Sequence, residues 1–233
     1  MSGDTKVIIG VTIAALILLI GAIFVLGRSG NDPVNFSEDQ VVDLVVRDDG
    51  YNVKGNENSP VEIVEFSDFE CPACRDTYPV LKQVMDEYGD RVKFVYQHFP
   101  LTQHPDARPA AFAAEAAGLQ GKFWEMHDAL FDNQDDLSDK RIQELAQEIG
   151  LDVDQFNSDL GNGEVQAKVL RDLAEGNRIG VSGTPSIYIN GTLYEGLRSV
   201  DGLGAVIEAE LTKVEVVKDE VIEATGSMVV DGS

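Results

Sequence analysis

The sequence contains few of the side chains that bind metals or act as nucleophiles. It has 2 cysteines, 3 histidines and 1 tryptophan among 233 residues. The histidines, His98, His104 and His127, are scattered and lack the paired spacing of zinc ligands. The sequence shows no phosphate-binding glycine loop and no Ser/His/Asp pattern. We therefore predict that the protein uses neither a metal nor a cofactor.

Positive charge is also scarce. The chain has 18 lysines and arginines against 41 aspartates and glutamates, which gives a formal net charge of -23 at pH 7. Such an excess of negative charge repels nucleic acids and anionic lipids. The acidic residues are spread along the chain, so we interpret them as a well-solvated surface. We predict no nucleic-acid partner.

The two cysteines stand close together in the tetrapeptide Cys71-Pro72-Ala73-Cys74. The preceding run, residues 61–66, is rich in β-branched and apolar residues and predicts a strand, whereas Pro72 suits the first turn of a helix. At a helix N-terminus, free backbone N–H groups and the macrodipole favour a thiolate, lowering a thiol pKa from about 8.5 to about 3.5–7.5. We therefore predict that Cys71 is the exposed nucleophile and that Cys74, one turn later, is the shielded resolving thiol.

A cysteine pair can also serve three purposes besides redox chemistry. A structural disulfide between residues i and i+3 closes a very short loop and so constrains the unfolded chain little. Half of a zinc site needs two further ligands, for which only the three scattered histidines are candidates. The two cysteines could also be functionally unrelated. The spacing favours thiol-disulfide exchange over all three.

The N-terminal segment predicts a membrane anchor. Residues 7–26 form an uncharged run of 20 residues, long enough for one helical span of a bilayer. A cleaved signal peptide is the competing interpretation, but no clear small-x-small cleavage site follows the run. We expect residues 1–30 to be an uncleaved anchor with the N-terminus in the cytoplasm, because disulfide chemistry needs an oxidising compartment outside it.

The rest of the chain predicts an α/β domain. After a linker and accessory segment at 31–54, with a strand or short helix at 41–46, we expect a helix at 71–88 that kinks at Pro79 and stops at Gly89. A second strand is expected at 91–97, and Asn190-Gly191 predicts a hairpin. Helices are expected at 107–120, 123–133, 139–149, 152–160, 164–178 and 200–211, and an acidic tail at 213–233.

Three segments resemble the thioredoxin superfamily, and more closely its DsbA-like branch. They are residues 64–74, 120–131 and 180–186, which include Val-Glu-Phe-Ser-Asp-Phe-Glu-Cys-Pro-Ala-Cys and Gly-Val-Ser-Gly-Thr-Pro-Ser. The resemblance implies a thioredoxin fold over residues 55–212 with a helical insertion at about 105–178. It also implies that Thr184 and a cis Pro185 face the thiols, and that substrate meets these two residues together with Pro72 and Ala73.

One residue departs from the pattern of the strongly oxidising members, which carry histidine where this chain has Ala73. An imidazole there would stabilise the Cys71 thiolate and make the disulfide easier to reduce. We therefore expect a less oxidising couple.

Glu65 lies in the otherwise apolar strand, six residues before Cys71, where relatives often carry an acid beneath the thiols. We predict that it accepts a proton from Cys74 during resolution; the alternative is a carboxylate that simply reaches water. Tyr96 occupies the position at which some relatives have a basic partner for this acid. We expect a structural role for His127, and we treat His98 and His104 as loop residues.

These observations predict an extracytoplasmic, single-pass thiol-disulfide oxidoreductase that forms disulfides in unfolded exported proteins. The resemblance implies that it is a monomer and that a membrane redox partner reoxidises or reduces the cysteine pair. A reductase or isomerase of the same compartment is one alternative, and a non-catalytic membrane-anchored binding module is another.

Overall fold

The computed structural model describes residues 41–46 and 52–229, and the side chains among them up to residue 216. The predicted anchor at residues 7–26 lies outside the described residues and stays a prediction. Within the described part, no helix is both long and apolar enough to cross a membrane.

A five-stranded mixed sheet forms the centre of the domain, in the order β1-β3-β2-β4-β5. The strands are β1 (Val53–Gly55), β2 (Glu62–Ser67), β3 (Lys93–His98), β4 (Ser186–Ile189) and β5 (Thr192–Leu193). The central pair β2–β3 is parallel, and the other neighbours are antiparallel. Both central strands are almost completely buried because helices cover both faces of the sheet.

Seven helices lie within the described residues. They are α1 (Pro72–Tyr88), α2 (Ala107–Gly118), α3 (Phe123–Asp132), α4 (Asp139–Glu148), α5 (Val153–Leu160), α6 (Gly163–Ile179) and α7 (Val200–Val229). Helices α2 to α6 all lie between β3 and β4, which confirms a thioredoxin-fold α/β domain with a helical insertion. Helix α2 is alanine-rich and buried along most of its length, because small side chains let neighbouring helices approach closely.

The predicted elements agree with the structure in type, but three details differ. The sequence does not predict strand β1, since three residues carry too short a pattern. Residues 41–46 form neither the expected strand nor a helix; only Val41 makes an isolated bridge, to Thr192. Helix α7 does not end at residue 211 but continues to Val229, because no glycine or proline interrupts residues 205–225.

Helix α1 ends as predicted, with Gly89 as its C-cap residue. It continues through Pro79 as one helix. One face packs against α7 and the sheet through Leu81, Val84 and Met85. This packing fixes the N-terminus of α1, which carries both cysteines, above the end of β2.

Candidate active site

The first cysteine is the N-cap residue of α1. Its backbone is extended (φ -76°, ψ 121°), and its carbonyl oxygen accepts hydrogen bonds from the N–H groups of Cys74 at 3.0 Å and Arg75 at 3.1 Å. Pro72 occupies the first helical position, where its missing N–H costs nothing. The N–H groups of the first turn are therefore directed towards the Cys71 side chain, as the sequence predicted.

The two thiols differ strongly in acidity. A hydrogen bond from the Cys74 thiol is the main cause that lowers the pKa of Cys71 to about 5; backbone N–H groups of the first turn add to it. Burial, followed by the neighbouring Cys71, raises the pKa of Cys74 well above its ordinary value. Neither cysteine is in a disulfide in this structure. The pair thus holds one thiolate and one thiol at neutral pH.

Cys71 is less exposed than the sequence predicted. Its residue exposure is 7 %, against 0 % for Cys74. Cys71 is therefore nearly buried, because the segment around Thr184 lies over it. It remains the more accessible of the two cysteines. Pro72 and Ala73 are exposed beside it.

The segment that follows α6 closes the site from the opposite side. The Thr184–Pro185 peptide bond is cis, as the resemblance implied. Cys71 Sγ lies 3.4 Å from the Thr184 carbonyl oxygen, to which it donates a hydrogen bond when it is protonated. The structure therefore brings residues 113 positions apart into direct contact.

Glu65 lies beneath the thiols in β2 and is 3 % exposed. Burial raises its pKa to about 7, against the opposing influence of the Ser67 hydroxyl and the Arg198 charge. The carboxylate charge also contributes to the raised pKa of Cys74, so the two groups are electrostatically coupled. Its neighbour in the parallel strand is Tyr96, as the sequence indicated.

A small cavity reaches Glu65 from the side of α1 and α3. Its volume of ≈ 20 Å³ is enough for about one water molecule. Its lining includes Glu65, Tyr78, Lys82, Trp124 and Asp128. A water molecule therefore has space to carry a proton to or from the buried carboxyl group.

Two residues that the sequence did not single out hold the site together. Gln134, between α3 and α4, donates its amide N–H groups to the carbonyl oxygens of Phe69 at 2.7 Å and Cys71 at 3.0 Å. Arg198 donates to the carbonyl oxygen of Pro185 at 3.3 Å. No sequence signal could have identified either residue, because both lie in irregular segments far along the chain from their partners.

Two of the histidines, His127 and His98, are buried and help to hold the fold together. His127 is buried among aromatic rings, and burial lowers its pKa. His98, Glu115 and Asp172 place ligand-type atoms within 4.8 Å of one another. The Lys168 ammonium is 3.7 Å from Glu115, so this cluster already contains a cation. We interpret it as a buried polar network that joins α2 and α6 to the end of β3.

Comparison with known families identifies the fold. A sequence profile with the description "Thioredoxin" matches residues 48–209. The chain belongs to the thioredoxin family. Among solved structures, this thioredoxin-family chain is similar to a thioredoxin-like oxidoreductase from Silicibacter pomeroyi, with 32% identity and a TM-score of 0.62, covering 70% of this chain and 97% of that protein.

Two further thioredoxin-fold structures are similar. The thiol-disulfide exchange protein alpha-DsbA2 from Wolbachia pipientis is 27% identical, with a TM-score of 0.63, over 73% of this chain and 90% of that one. Oxidised BdbD from Bacillus subtilis is 24% identical, with a TM-score of 0.64, over 74% and 99%, so that likeness concerns the fold alone. The domain therefore has the fold of DsbA-like thiol-disulfide oxidoreductases.

The curated relatives of this thioredoxin-family chain are much longer. It is 37% identical over 170 residues to Na(+)/H(+) antiporter NhaA 3 of Salinispora tropica, which is 72% of this chain and 26% of the antiporter. It is 36% identical over 170 residues to Na(+)/H(+) antiporter NhaA 1 of Salinispora arenicola, again 72% and 26%. The chain spans about a quarter of the length of these relatives, so the similarity concerns one part of each.

Proposed function

We propose that this protein forms disulfide bonds in unfolded, exported proteins by thiol-disulfide exchange at Cys71 and Cys74. The observation that carries the proposal is the contact between a thiol whose pKa is lowered to about 5 and a buried thiol whose pKa is raised. A cysteine with a stable thiolate is a good leaving group, so a disulfide that includes it readily passes to another thiol.

The reaction has two exchange steps. In the oxidised protein, a substrate thiolate attacks Cys71 Sγ; the Cys71–Cys74 bond breaks, and its electron pair stays on Cys74 Sγ. A second substrate thiolate then attacks the substrate sulfur of the mixed disulfide. The bond to Cys71 breaks, and Cys71 leaves as a thiolate. The substrate loses two electrons and gains a disulfide, while the protein becomes the dithiol.

Glu65 supplies the proton in the first step. Below its pKa of about 7, the buried carboxyl group is protonated and can donate to the departing Cys74 thiolate. In the reverse step, when Cys74 attacks a mixed disulfide at Cys71, the carboxylate accepts that proton. The Glu65→Gln variant should therefore resolve mixed disulfides more slowly, with a flatter pH profile from 6 to 8 in single-turnover measurements. A variant profile identical to that of the wild type would remove Glu65 from the mechanism.

The proposed location is the outer side of the cell membrane, with residues 7–26 as the single anchor. A membrane protein that presents a disulfide would reoxidise the cysteine pair, and the soluble domain would act as a monomer. Protease added to intact spheroplasts should remove the domain while cytoplasmic markers survive. Complete protection of the domain would contradict this orientation.

The direction of electron flow can be measured. The purified protein is equilibrated with glutathione buffers, and the free thiols are then alkylated and counted. We expect a reduction potential between about -120 and -200 mV, in the range of proteins that introduce or rearrange disulfides. The same preparation should restore disulfides to a reduced, unfolded protein, and the Cys71→Ser variant should not. A potential near -270 mV would indicate a reductase instead.

A further inference from the structure

The loop after β3 is tied to the segment that leads into Cys71. Asp68 Oδ2 accepts hydrogen bonds from the Leu101 backbone N–H and from His104 Nδ1, both at 2.8 Å. The same aspartate accepts, through its backbone carbonyl oxygen, the N–H of Cys71 at 3.1 Å. One residue therefore links the imidazole of His104 to the backbone of the nucleophilic cysteine.

A second carboxylate strengthens this attachment. Glu70, the residue immediately before Cys71, accepts hydrogen bonds at Oε2 from the backbone N–H groups of Asp106 at 2.7 Å and Ala107 at 3.0 Å. Asp68 Oδ1 also accepts from the N–H of Glu70 at 2.7 Å. The loop thus cannot move independently of the thiol site, and His104 is held beside it.

We propose that His104 is a positioning residue that supplies the positive charge missing from the Cys-Pro-Ala-Cys tetrapeptide. Its imidazolium balances the Asp68 carboxylate beside Cys71 and thereby stabilises the Cys71 thiolate. This role rests on the function proposed above, because His104 acts on the same cysteine. It concerns only the ionisation of Cys71.

The charges around His104 determine its effect. Asp68, Glu70 and the Cys71 thiolate are the acidic groups that act on the imidazole, and Arg108 lines the same surface groove. Without a protonated His104, Asp68 would place an unbalanced negative charge near the thiolate. With it, the pair is neutral. The hydrogen bond from the Cys74 thiol remains the main stabilisation of the thiolate, with the backbone N–H groups of the α1 N-terminus adding to it, and His104 adds a longer-range contribution.

The titration of His104 fits this role. Partial burial lowers its pKa, but the hydrogen bond to Asp68 and the charges of Asp68, Cys71 and Glu70 together raise it above its ordinary value. His104 therefore stays protonated through the pH range in which Cys71 ionises. His127 provides a contrast, because burial lowers its pKa and its main charged neighbours do not include a thiol.

Reciprocity gives a test on the unaltered protein. If His104 stabilises the Cys71 thiolate, the thiolate must raise the pKa of His104 by the same amount. NMR titration of the histidine ring signals is compared between the dithiol and the disulfide forms. We expect the pKa of His104 to fall by about 0.5 on oxidation, a factor of about three, while that of His127 does not change. An equal His104 pKa in both forms would overturn the proposal.

Variants test the same coupling from the side of Cys71. His104→Gln keeps a hydrogen-bond donor for Asp68 but removes the charge, and His104→Arg keeps the charge. In His104→Gln the pKa of Cys71 should rise by about 0.5, so alkylation below pH 5 should be about threefold slower. Near pH 6.5, where Cys71 is almost fully ionised and His104 is still mostly protonated, alkylation should be slightly faster because a more basic thiolate is a better nucleophile. His104→Arg should follow the wild type at low pH.

A purely structural role for His104 would not produce this crossover. A damaged loop would change the alkylation rate in one direction at all pH values, and the charge-preserving variant would fail equally. Superimposable profiles of His104→Gln and wild type would contradict the proposal. Both measurements use the protein alone, so they remain decisive even if the protein proves to form no disulfides in other proteins.

Discussion

Glu65 of β2 and Tyr96 of β3 are direct neighbours in the parallel strand pair, and both are buried. The neighbour of Glu65 in the adjacent strand is thus an aromatic residue and not a base. Among the described residues, no close cation strongly offsets the cost of burying the charged carboxylate, so the pKa of Glu65 rises to about 7. This raised pKa makes Glu65 a source of instability at higher pH.

The first prediction concerns stability against pH. Because the pKa of Glu65 is raised in the folded protein, its favourable contribution is complete below about pH 4.5 and is lost as pH rises to about 7. The Glu65→Gln variant does not lose stability in this way, because glutamine does not ionise. Its free energy of unfolding, relative to wild type, should therefore increase between those pH values by about 3 kcal/mol and then level off.

Urea unfolding of both proteins in the dithiol form measures this difference. Cys71 titrates in the opposite sense, since its lowered pKa adds stability as pH rises from about 5. Its contribution is common to both proteins and cancels in the comparison. A stability difference that stays constant from pH 4 to 8 would mean that Glu65 has an ordinary pKa.

The second prediction concerns Gln134, which donates to two carbonyl oxygens next to the nucleophile. Gln134→Ala leaves both acceptors without this donor, so we expect a loss of about 1–2 kcal/mol in the free energy of unfolding. Gln143→Ala makes the same chemical change at an exposed position of α4 and should stay within about 0.5 kcal/mol of wild type. Equal effects of the two substitutions would show that Gln134 does not support the site.

The third prediction concerns the packing of α6 against the sheet. A Cβ atom on Gly176 would lie 2.5 Å from a ring carbon of Phe99 and 3.1 Å from one of Phe66. Gly176→Ala should therefore destabilise the protein by about 1–3 kcal/mol, although alanine is the better helix former.

Gly163→Ala is the matched control, because nothing lies within 4 Å of a Cβ atom there at the start of the same helix. This substitution should leave the melting temperature unchanged or raise it. A stabilising effect of Gly176→Ala would mean that α6 packs less closely on Phe99 than the structure shows.

Local patterns are sufficient to predict most of the fold. The strand before Cys71, the helix after it and the hairpin at Asn190 all carry strong short-range signals, and all are present. Strand β1 escapes prediction because its three residues become a strand only by pairing with β3. The predicted length of helix α7 is too short, since the polar residues after residue 211 favour a helix without marking a buried face.

The sequence predicts the chemistry of the candidate site but not the residues that hold the site in place. The spacing of the cysteines and the helix start indicate which thiol is acidic. Gln134, Arg198 and the hydrogen bond of His104 to Asp68 depend on contacts between residues 13 to 65 positions apart, which no local pattern encodes. The near burial of Cys71 is also absent from any local pattern, because it results from the distant segment around Thr184.

The central claim is that Cys71 forms the mixed disulfide with the substrate and that Cys74 can resolve it. It is tested most directly by trapping mixed disulfides in the two single-cysteine variants and separating them on non-reducing gels. In Cys74→Ser, substrate adducts should accumulate at Cys71 and disappear on adding reductant; in Cys71→Ser, adducts should be scarce because Cys74 is 0 % exposed. Adducts found only in Cys71→Ser, or faster alkylation of Cys74 than of Cys71 near pH 6, would contradict the account.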